Sequence, residues 1–424
     1  MRNSFSRRSA ILIGLALIIH AAPGASAYSV LTHEAIIDAV WADNIQPLLL
    51  KRFPGSSPED LRKAHAYAYG GAIIQDLGYY PLGNRFFSDL THYSRTGDFV
   101  RNLLAESSDL NDYAFALGSL AHYAADNHGH RLATNKAIAM TYPKLKSRFG
   151  DTITYADDPL SHMKVEFSFD VVQVAQGNYA PDAYHDFIGF EVAQKCLERA
   201  FEKTYSLKLS SLLNENLAIG TYRYAVSTIL PTMTKAAWRL KRKEIQIAQP
   251  SVTKRKFIYN LSRSSYRKSW GNAYQQPGLG ARILAFVFRL IPKVGPLRAF
   301  AFQAPTPQVE ALFMTSVNQT LTHYRQLLAA QGQGKLTLVN ENFDTGEPVK
   351  PGKYRLADDA YAKLVDKLNG KPIDPEVRAD ILAFYSDLNA PLATKRDQKS
   401  WKKLLRELDA LKATSSVPAR SSLR

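Results

Sequence analysis

Three side chains that bind metals recur every fourth residue in an apolar stretch of the chain: His122, Asp126 and His130. Because residues four apart lie on one face of an α-helix, they form a single stripe. Imidazole and carboxylate are the ligands that zinc accepts where thiolates are absent. If these were only polar residues pairing inside a helix bundle, Asp126 would be a buried carboxylate, which is costly without a metal or a charged partner. The stripe therefore predicts a metal site, and clustered zinc is suited to hydrolysis.

A second pair, His162 and Glu166, repeats this spacing further along the chain. Two single residues are further candidates. Asp76 follows the apolar end of a predicted helix, where it is either a ligand or a polar residue that ends the helix. His92 is either a ligand or a surface-loop histidine. His128 competes with His130 for the third place on the stripe, and the four-residue spacing favours His130.

The other histidines of the mature chain are interpreted as structural or surface residues. They are His65, His128, His185 and His323.

The N-terminus predicts export. Arg2, Arg7 and Arg8 precede an apolar run over residues 11–19, and the small residues Ala25 and Ala27 follow. The run is far shorter than the ~20 residues that a membrane span needs, so residues 1–27 are predicted to be a cleaved signal peptide. The protein is then periplasmic or secreted. Cleavage after Ala27 makes Tyr28 the first residue of the mature chain.

Charge and cysteine content set further bounds. Residues 28–240 carry a net charge of −3 and residues 241–424 a net charge of +16, with thirteen basic side chains against one acidic side chain in residues 241–300. Such a basic segment favours anionic partners, either phospholipid headgroups or nucleic acid. The single cysteine, Cys196, excludes an internal disulfide and thiolate-rich zinc sites, and is interpreted as a core residue.

The basic segment has two interpretations. One is a helix docked on the core with a solvated basic face. The other is a membrane-contact element, in which four phenylalanines enter the lipid interface while the basic side chains bind headgroups. The four are Phe286, Phe288, Phe300 and Phe302.

Apolar spacing of the helical kind recurs along most of the chain, and no pair of alternating runs is joined by a tight hairpin turn. The sequence therefore predicts an all-α fold. The predicted helices cover residues 31–50, 58–74, 98–106, 109–130, 159–175, 181–205, 209–216, 217–243, 305–331, 357–368, 375–388 and 399–413, with a loop over residues 340–354.

In their order, these motifs resemble those of the zinc-dependent phospholipase C family, which shares its fold with S1/P1-type nucleases. They are also similar to the catalytic domain of glycosylphosphatidylinositol-specific phospholipase D. The resemblance covers about residues 28–207. The matching pieces are Thr32-His33, Gln75-Asp76-Leu77-Gly78-Tyr79-Tyr80-Pro81, Thr91-His92-Tyr93, Leu120-Ala121-His122-Tyr123-Ala124-Ala125-Asp126 with His130, and His162-x-x-x-Glu166.

The resemblance implies a multi-helix bundle holding three zinc ions. One ion is then bound by Asp76, His92, His122 and Asp126, the second by His130, His162 and Glu166, and the third by His33, Asp126 and the amino nitrogen and carbonyl oxygen of Tyr28. Asp126 bridges two ions in this scheme. Asp76 is the expected catalytic residue, orienting or deprotonating the attacking water.

The predicted organisation combines this resemblance with the export signal, the charge distribution and the helical spacing. It comprises a signal peptide (1–27), a zinc-dependent hydrolase domain (28–240), a basic and apolar segment (241–305), a helical C-terminal region (306–412) and a disordered tail (413–424).

The expected function is hydrolysis of phospholipid headgroups, with peripheral contact to an anionic membrane surface. Two alternatives remain open. One is an S1/P1-like nuclease acting on single-stranded nucleic acid, with Tyr79, Tyr80, Phe86 and Phe87 as candidate stacking residues. The other is a non-catalytic, zinc-stabilised envelope protein.

Overall fold

The computed structural model of this chain is almost entirely helical. It describes residues 30–80, 82–176, 190–248, 250, 253–254 and 302–413. The α-helices are α1 (Val30–Val40), α2 (Gln46–Arg52), α3 (Pro58–Ile73), α4 (Arg85–Tyr93), α5 (Thr96–Glu106), α6 (Leu110–Gly129), α7 (Asn135–Thr141), α8 (Pro143–Phe149), α9 (Pro159–Gln176), α10 (Gln194–Tyr205), α11 (Glu215–Ala248), α12 (Pro307–Gly332), α13 (Arg355–Leu368), α14 (Pro375–Phe384) and α15 (Gln398–Ala413).

Shorter elements join these helices. Two wide π-helical turns, Trp41–Ile45 and His130–Thr134, follow α1 and α6 directly. Single 3-10 turns are formed by Ile74–Tyr79, Leu209–Ser211 and Ala393–Arg396. Two two-residue strands, β1 (Glu341–Asn342) and β2 (Glu347–Pro348), pair in antiparallel fashion after α12.

Helix α6 is the centre of the bundle. Asp109 is the N-cap residue directly before this helix, and its carboxylate accepts a hydrogen bond from the amide of Asp112. From Tyr113 to Asn127 every side chain is buried, which is the pattern of a helix surrounded by protein on all sides. Helices α1, α3, α5 and α12 pack around it. The stripe of metal-binding side chains on α6 therefore faces other helices instead of solvent.

Helices α3 and α6 approach each other more closely than ordinary side chains allow. A Cβ atom added at Gly71 would lie 1.9 Å from the carbonyl oxygen of Phe115, and one added at Gly118 would lie 2.0 Å from that of Ala68. Glycine is thus required on both helices where they cross. This contact places the carbonyl oxygen of Ala72 2.9 Å from Nδ1 of His122.

The C-terminal helices share the core of the N-terminal ones. The hydroxyl of Tyr324 on α12 donates a hydrogen bond to the carbonyl oxygen of Leu117 on α6, over 2.8 Å. Phe313 on α12 stacks on Phe169 of α9, and α13 packs against α4. Residues 302–413 therefore belong to the same hydrophobic core that holds the stripe.

The all-α prediction, with a mostly helical C-terminal region, is confirmed. The predicted helix over residues 31–50 is interrupted by the π turn at Trp41–Ile45, and the loop over residues 340–354 contains the short β pair. Helices α4, α7 and α8 were not predicted, because they are short and their apolar spacing is too brief to stand out. Cys196 is buried in the core, as expected.

Several predictions fall outside the described residues. They concern the signal peptide, Tyr28, His185, most of the basic segment and the C-terminal tail. Among the residues that are described, no helix combines the length and the apolarity needed to cross a membrane.

Replacing Gly118 by alanine should destabilise the protein by about 1–3 kcal/mol or more, because its methyl group collides with a backbone oxygen that has little room to move. Gly220 on α11 is the matched control, since the described residues place nothing within 4 Å of a Cβ there. Thermal unfolding of Gly118→Ala and Gly220→Ala checks this. Equal melting temperatures would contradict the close helix crossing.

Candidate metal centre

Asp126 lies at the middle of a buried group of histidines. Its Oδ2 atom is 3.2 Å from Nε2 of His122, 3.4 Å from Nε2 of His92 and 3.7 Å from Nε2 of His130. Its Oδ1 atom is 3.5 Å from Nε2 of His33. The carboxylate is completely buried. One side chain of α6 therefore contacts imidazoles from α1, α4 and its own helix.

The first half of the centre contains two overlapping groups able to hold a metal. They are His33 with His122 and Asp126, and Asp76 with His92 and His122. Oδ1 of Asp76 is 3.3 Å from Nε2 of His92, which is itself 3.3 Å from Nε2 of His122. Asp76 is held in the 3-10 turn after α3, which Ser88 of α4 fixes by hydrogen-bonding to the backbone of this turn.

The second half contains one group, His130 with His162 and Asp344. Nδ1 of His130 is 3.3 Å from Nε2 of His162 and 3.1 Å from Oδ1 of Asp344. Nε2 of His162 is 3.5 Å from the same oxygen. Asp344 follows β1 and lies more than two hundred residues beyond the stripe in the sequence.

The outer nitrogen of three histidines is already engaged. Nδ1 of His122 donates to the carbonyl oxygen of Ala72 and Nδ1 of His92 to that of Ser88, over 2.9 and 2.8 Å. Nδ1 of His162 donates to Oε1 of Glu166 over 2.8 Å. Such hydrogen bonds fix the tautomer and leave Nε2 to bind a metal. The three rings are therefore oriented as metal ligands before any ion binds.

The separations fit tetrahedral zinc. Zinc bonds of about 2.0–2.1 Å place two ligand atoms roughly 3.3 Å apart. The separations given above run from 3.1 to 3.7 Å, and the ligand atoms of each group all lie within 4.8 Å of one another. Within the described part of the chain, no hydrogen-bond donor reaches either carboxylate oxygen of Asp126 or Oδ1 of Asp344 with good geometry. Buried carboxylates in this condition are expensive unless a cation compensates them, so these residues fit zinc.

Protonation in the metal-free state follows the same geometry. Burial acts to lower the pKa of His92 and His130, but the carboxylates around them prevail and raise it to about 9 and about 10. Burial and the neighbouring His122 lower the pKa of His33 to about 4. Burial raises the pKa of Glu166, whereas His130 and His162 hold that of Asp344 well below its usual range. Zinc must displace the protons on His92 and His130 when it binds.

The structure gathers most of the predicted ligands in one place. The residues that meet there are His33, Asp76, His92, His122, Asp126, His130 and His162. His92 lies on α4 and not on a surface loop. Glu166 contacts the centre only through Nδ1 of His162 and shares none of the three groups.

Sequence reasoning missed Asp344. Its segment was identified only as a loop with turns, and an acidic residue in such a loop carries no sign of the histidines that it meets in space. Of the other histidines, the three that the structure describes have partners outside the centre. His128 lies 3.1 Å from His323, and His65 pairs with Asp38.

Three of the four aromatic residues considered for base stacking are buried. Phe86, Phe87 and Tyr79 lie in the core, where Phe87 packs on Phe201. Tyr80 is half-buried and packs on Tyr222, with ring centroids 4.1 Å apart. A base-stacking platform needs an exposed ring face, which the three buried residues do not offer.

Residues 32–214 match the family described as zinc dependent phospholipase C. Over this region, which is somewhat less than half of the chain, the protein is similar to that family. Neither a search of curated proteins nor one of solved structures returned a match. The match ends well before α12, so Asp344 lies outside it.

This match indicates the general chemistry of the protein. It is a phosphodiesterase hydrolase with zinc as its cofactor and phospholipid as its substrate class. The three buried groups agree with several zinc ions in one centre.

Replacing Asp126 by asparagine should remove most of the bound zinc, because the amide keeps the shape of the side chain but loses the charge shared by four imidazoles. Asp38→Asn is the matched control, since Asp38 pairs with His65 and Tyr69. Elemental analysis of the two purified variants measures their zinc content and checks this prediction. Full zinc content in Asp126→Asn would remove Asp126 from the centre.

Proposed function

We propose that this chain is an exported phospholipase C that hydrolyses the phosphodiester bond between diacylglycerol and the headgroup. One observation carries the proposal: the Asp126 carboxylate contacts four histidines in a single buried centre. Asp126 and these histidines all lie in the region that matches the phospholipase C family. When bound, zinc acidifies water and neutralises charge on the phosphoryl oxygens. The protein supplies the ligands and a protected site.

Asp76 is the proposed proton acceptor. Its Oδ1 atom lies 3.3 Å from Nε2 of His92, which holds it beside the proposed reacting centre, and its side chain is only 4% exposed. A water oxygen forms the new bond to phosphorus as the bond from phosphorus to the glycerol oxygen breaks. The water proton passes to the Asp76 carboxylate and then to the departing glycerol oxygen. The products are diacylglycerol and a phosphorylated headgroup.

Burial strengthens these interactions. The ligand residues from His33 to His162 are at most 2% exposed. Charges attract more strongly where water is excluded, so fixed ligands act on the phosphoryl group with little screening.

Defined substrates test the activity. Vesicles of phosphatidylcholine should yield phosphocholine in a chelator-sensitive reaction, and single-stranded oligonucleotides should yield no mononucleotides. Asp76→Asn should lower kcat by roughly 10²–10⁴-fold, as expected for a general base, while Asp38→Asn remains active. Release of mononucleotides would favour the nuclease alternative. Zinc binding without either product would favour the non-catalytic one.

The same assay tests the proposed membrane contact. The thirteen basic side chains of residues 241–300 support peripheral binding to anionic lipid. Adding an anionic lipid to the vesicles should raise the rate at low ionic strength, and added salt should cancel the gain because it screens the attraction. An unchanged rate in both conditions would contradict this contact.

Export is proposed on the N-terminal pattern and on the place where α1 begins. Val30 and Leu31 are buried, and the Asp170 carboxylate accepts hydrogen bonds from the Leu31 amide and the Thr32 hydroxyl. The start of α1 is thereby fixed beside His33. Tyr28 is two residues away, about 7 Å of chain at most. This short length of chain supports the proposal that a free amino group at Tyr28 joins the centre.

A chain that begins at Tyr28 should bind one zinc ion more than a chain that retains Ala25-Ser26-Ala27 ahead of it, because the peptide bond removes the amino ligand. Intact mass of the protein exported by a bacterial host identifies its first residue, and elemental analysis of both chains gives the zinc content. Equal zinc content in the two chains would contradict the N-terminal ligand.

A further inference from the structure

The centre is completed by a segment outside the part of the chain that matches the family. Residues 340–344 follow α12 and lie across both halves of the centre. The amide of Phe343 donates to the carbonyl oxygen of His92 over 3.1 Å. The Phe343 ring is completely buried, with its centroid 5.5 Å from that of His92 and 6.0 Å from that of His122.

The two oxygens of the Asp344 carboxylate have different surroundings. Oδ2 accepts hydrogen bonds from the Tyr155 amide, over 2.8 Å, and from the Tyr354 hydroxyl. Oδ1 points between His130 and His162, at 3.1 and 3.5 Å from their nitrogens, and no described donor reaches it with good geometry. One oxygen of this carboxylate is held by hydrogen bonds, and the other faces two imidazole nitrogens. That arrangement suits a monodentate metal ligand.

We propose that Asp344 is a zinc ligand, binding through Oδ1 the ion that His130 and His162 also hold. The inference depends on the zinc centre but not on the choice of substrate. It makes the C-terminal region a structural part of the active centre, since the family region alone lacks this ligand.

Glu166 then has a positioning role. It contacts Nδ1 of His162, on the side of the ring opposite Nε2. Nε2 is the nitrogen that faces His130 and Asp344, and it also lies 2.8 Å from Oδ1 of Asn135. An ion bound on the Nε2 side meets Asp344, whereas Glu166 is a ligand only for an ion bound at Nδ1. The grouping of His130 with Asp344 favours the first arrangement.

The segment is held in register by the helices that carry the other ligands. Oε2 of Glu341 accepts hydrogen bonds from the Tyr123 hydroxyl and the Asn127 side chain of α6, over 2.9 and 2.6 Å. The Asn135 side chain donates to the carbonyl oxygen of Asp344 over 2.8 Å. These bonds fix Asp344 relative to His130 before a metal binds, which lowers the entropy lost on coordination.

Zinc content tests the proposal in the full-length protein. With the wild type binding three ions, Asp344→Asn should bind two, because the amide keeps the hydrogen bonds to Oδ2 but removes the anionic ligand. Glu166→Gln should keep three ions, with the affinity of one lowered about 10–100-fold, as is typical when a group that orients a histidine ligand is changed. Asp38→Asn is the control and should keep all three, because Asp38 pairs with His65 and Tyr69 and belongs to none of the metal-binding groups.

The opposite pattern overturns the proposal. Three tightly bound ions in Asp344→Asn together with two in Glu166→Gln would make Glu166 the ligand. A wild type that binds no zinc would instead remove the whole centre, so failure of Asp344 and failure of the zinc enzyme are distinguishable.

A second variant covers the event that Asp344→Asn does not fold. Asp344→Cys places a thiolate at the same position, and cadmium replaces zinc in such sites. The cadmium-loaded variant should gain the ultraviolet charge-transfer band of a cadmium–thiolate bond. The cadmium-loaded wild type supplies the baseline, because its Cys196 is buried in the core away from the centre. Absence of the added band would show that residue 344 does not touch the metal.

Discussion

The structure depends on one carboxylate kept charged inside a helix bundle. Asp126 has no exposure to solvent, and imidazoles from α1, α4 and α6 surround it. Removing such a charge from water costs several kcal/mol unless cations and hydrogen bonds replace the lost hydration. Histidines and zinc together supply that replacement. The fold therefore has to bring several helices to a single point, and the metal in turn holds those helices together.

The close crossing of α3 and α6 is the main feature that brings the ligand-bearing helices together. Gly71 and Gly118 let the two backbones touch, which allows the end of α3 to supply both the Ala72 carbonyl that orients His122 and the turn that carries Asp76. Packing and chemistry are thus linked through backbone atoms. A larger residue at the crossing disturbs the core and the ligand geometry together.

The C-terminal helices share the hydrophobic core with the helices that carry the metal ligands. Helix α12 packs along α6, and the segment after it reaches over the centre with Phe343 and Asp344. A segment beyond the family match thereby contacts both halves of the metal centre. A hydrolase that gains a ligand from an added region can tie its metal content to correct folding of the whole chain.

The sequence by itself determined what depends on local spacing. The stripe on α6, the pair on α9 and the all-α class follow from the 3.6-residue period of the helix, which is visible along a single stretch of chain. The role of Asp76 and His92 needed the ordered motifs of a family, because neither residue carries a local periodic signal. Only the tertiary structure decided that Asp344 joins His130 and His162 and that Glu166 lies behind the ring of His162. Those contacts arise from the packing of segments far apart in the sequence, and no short pattern along the chain encodes them.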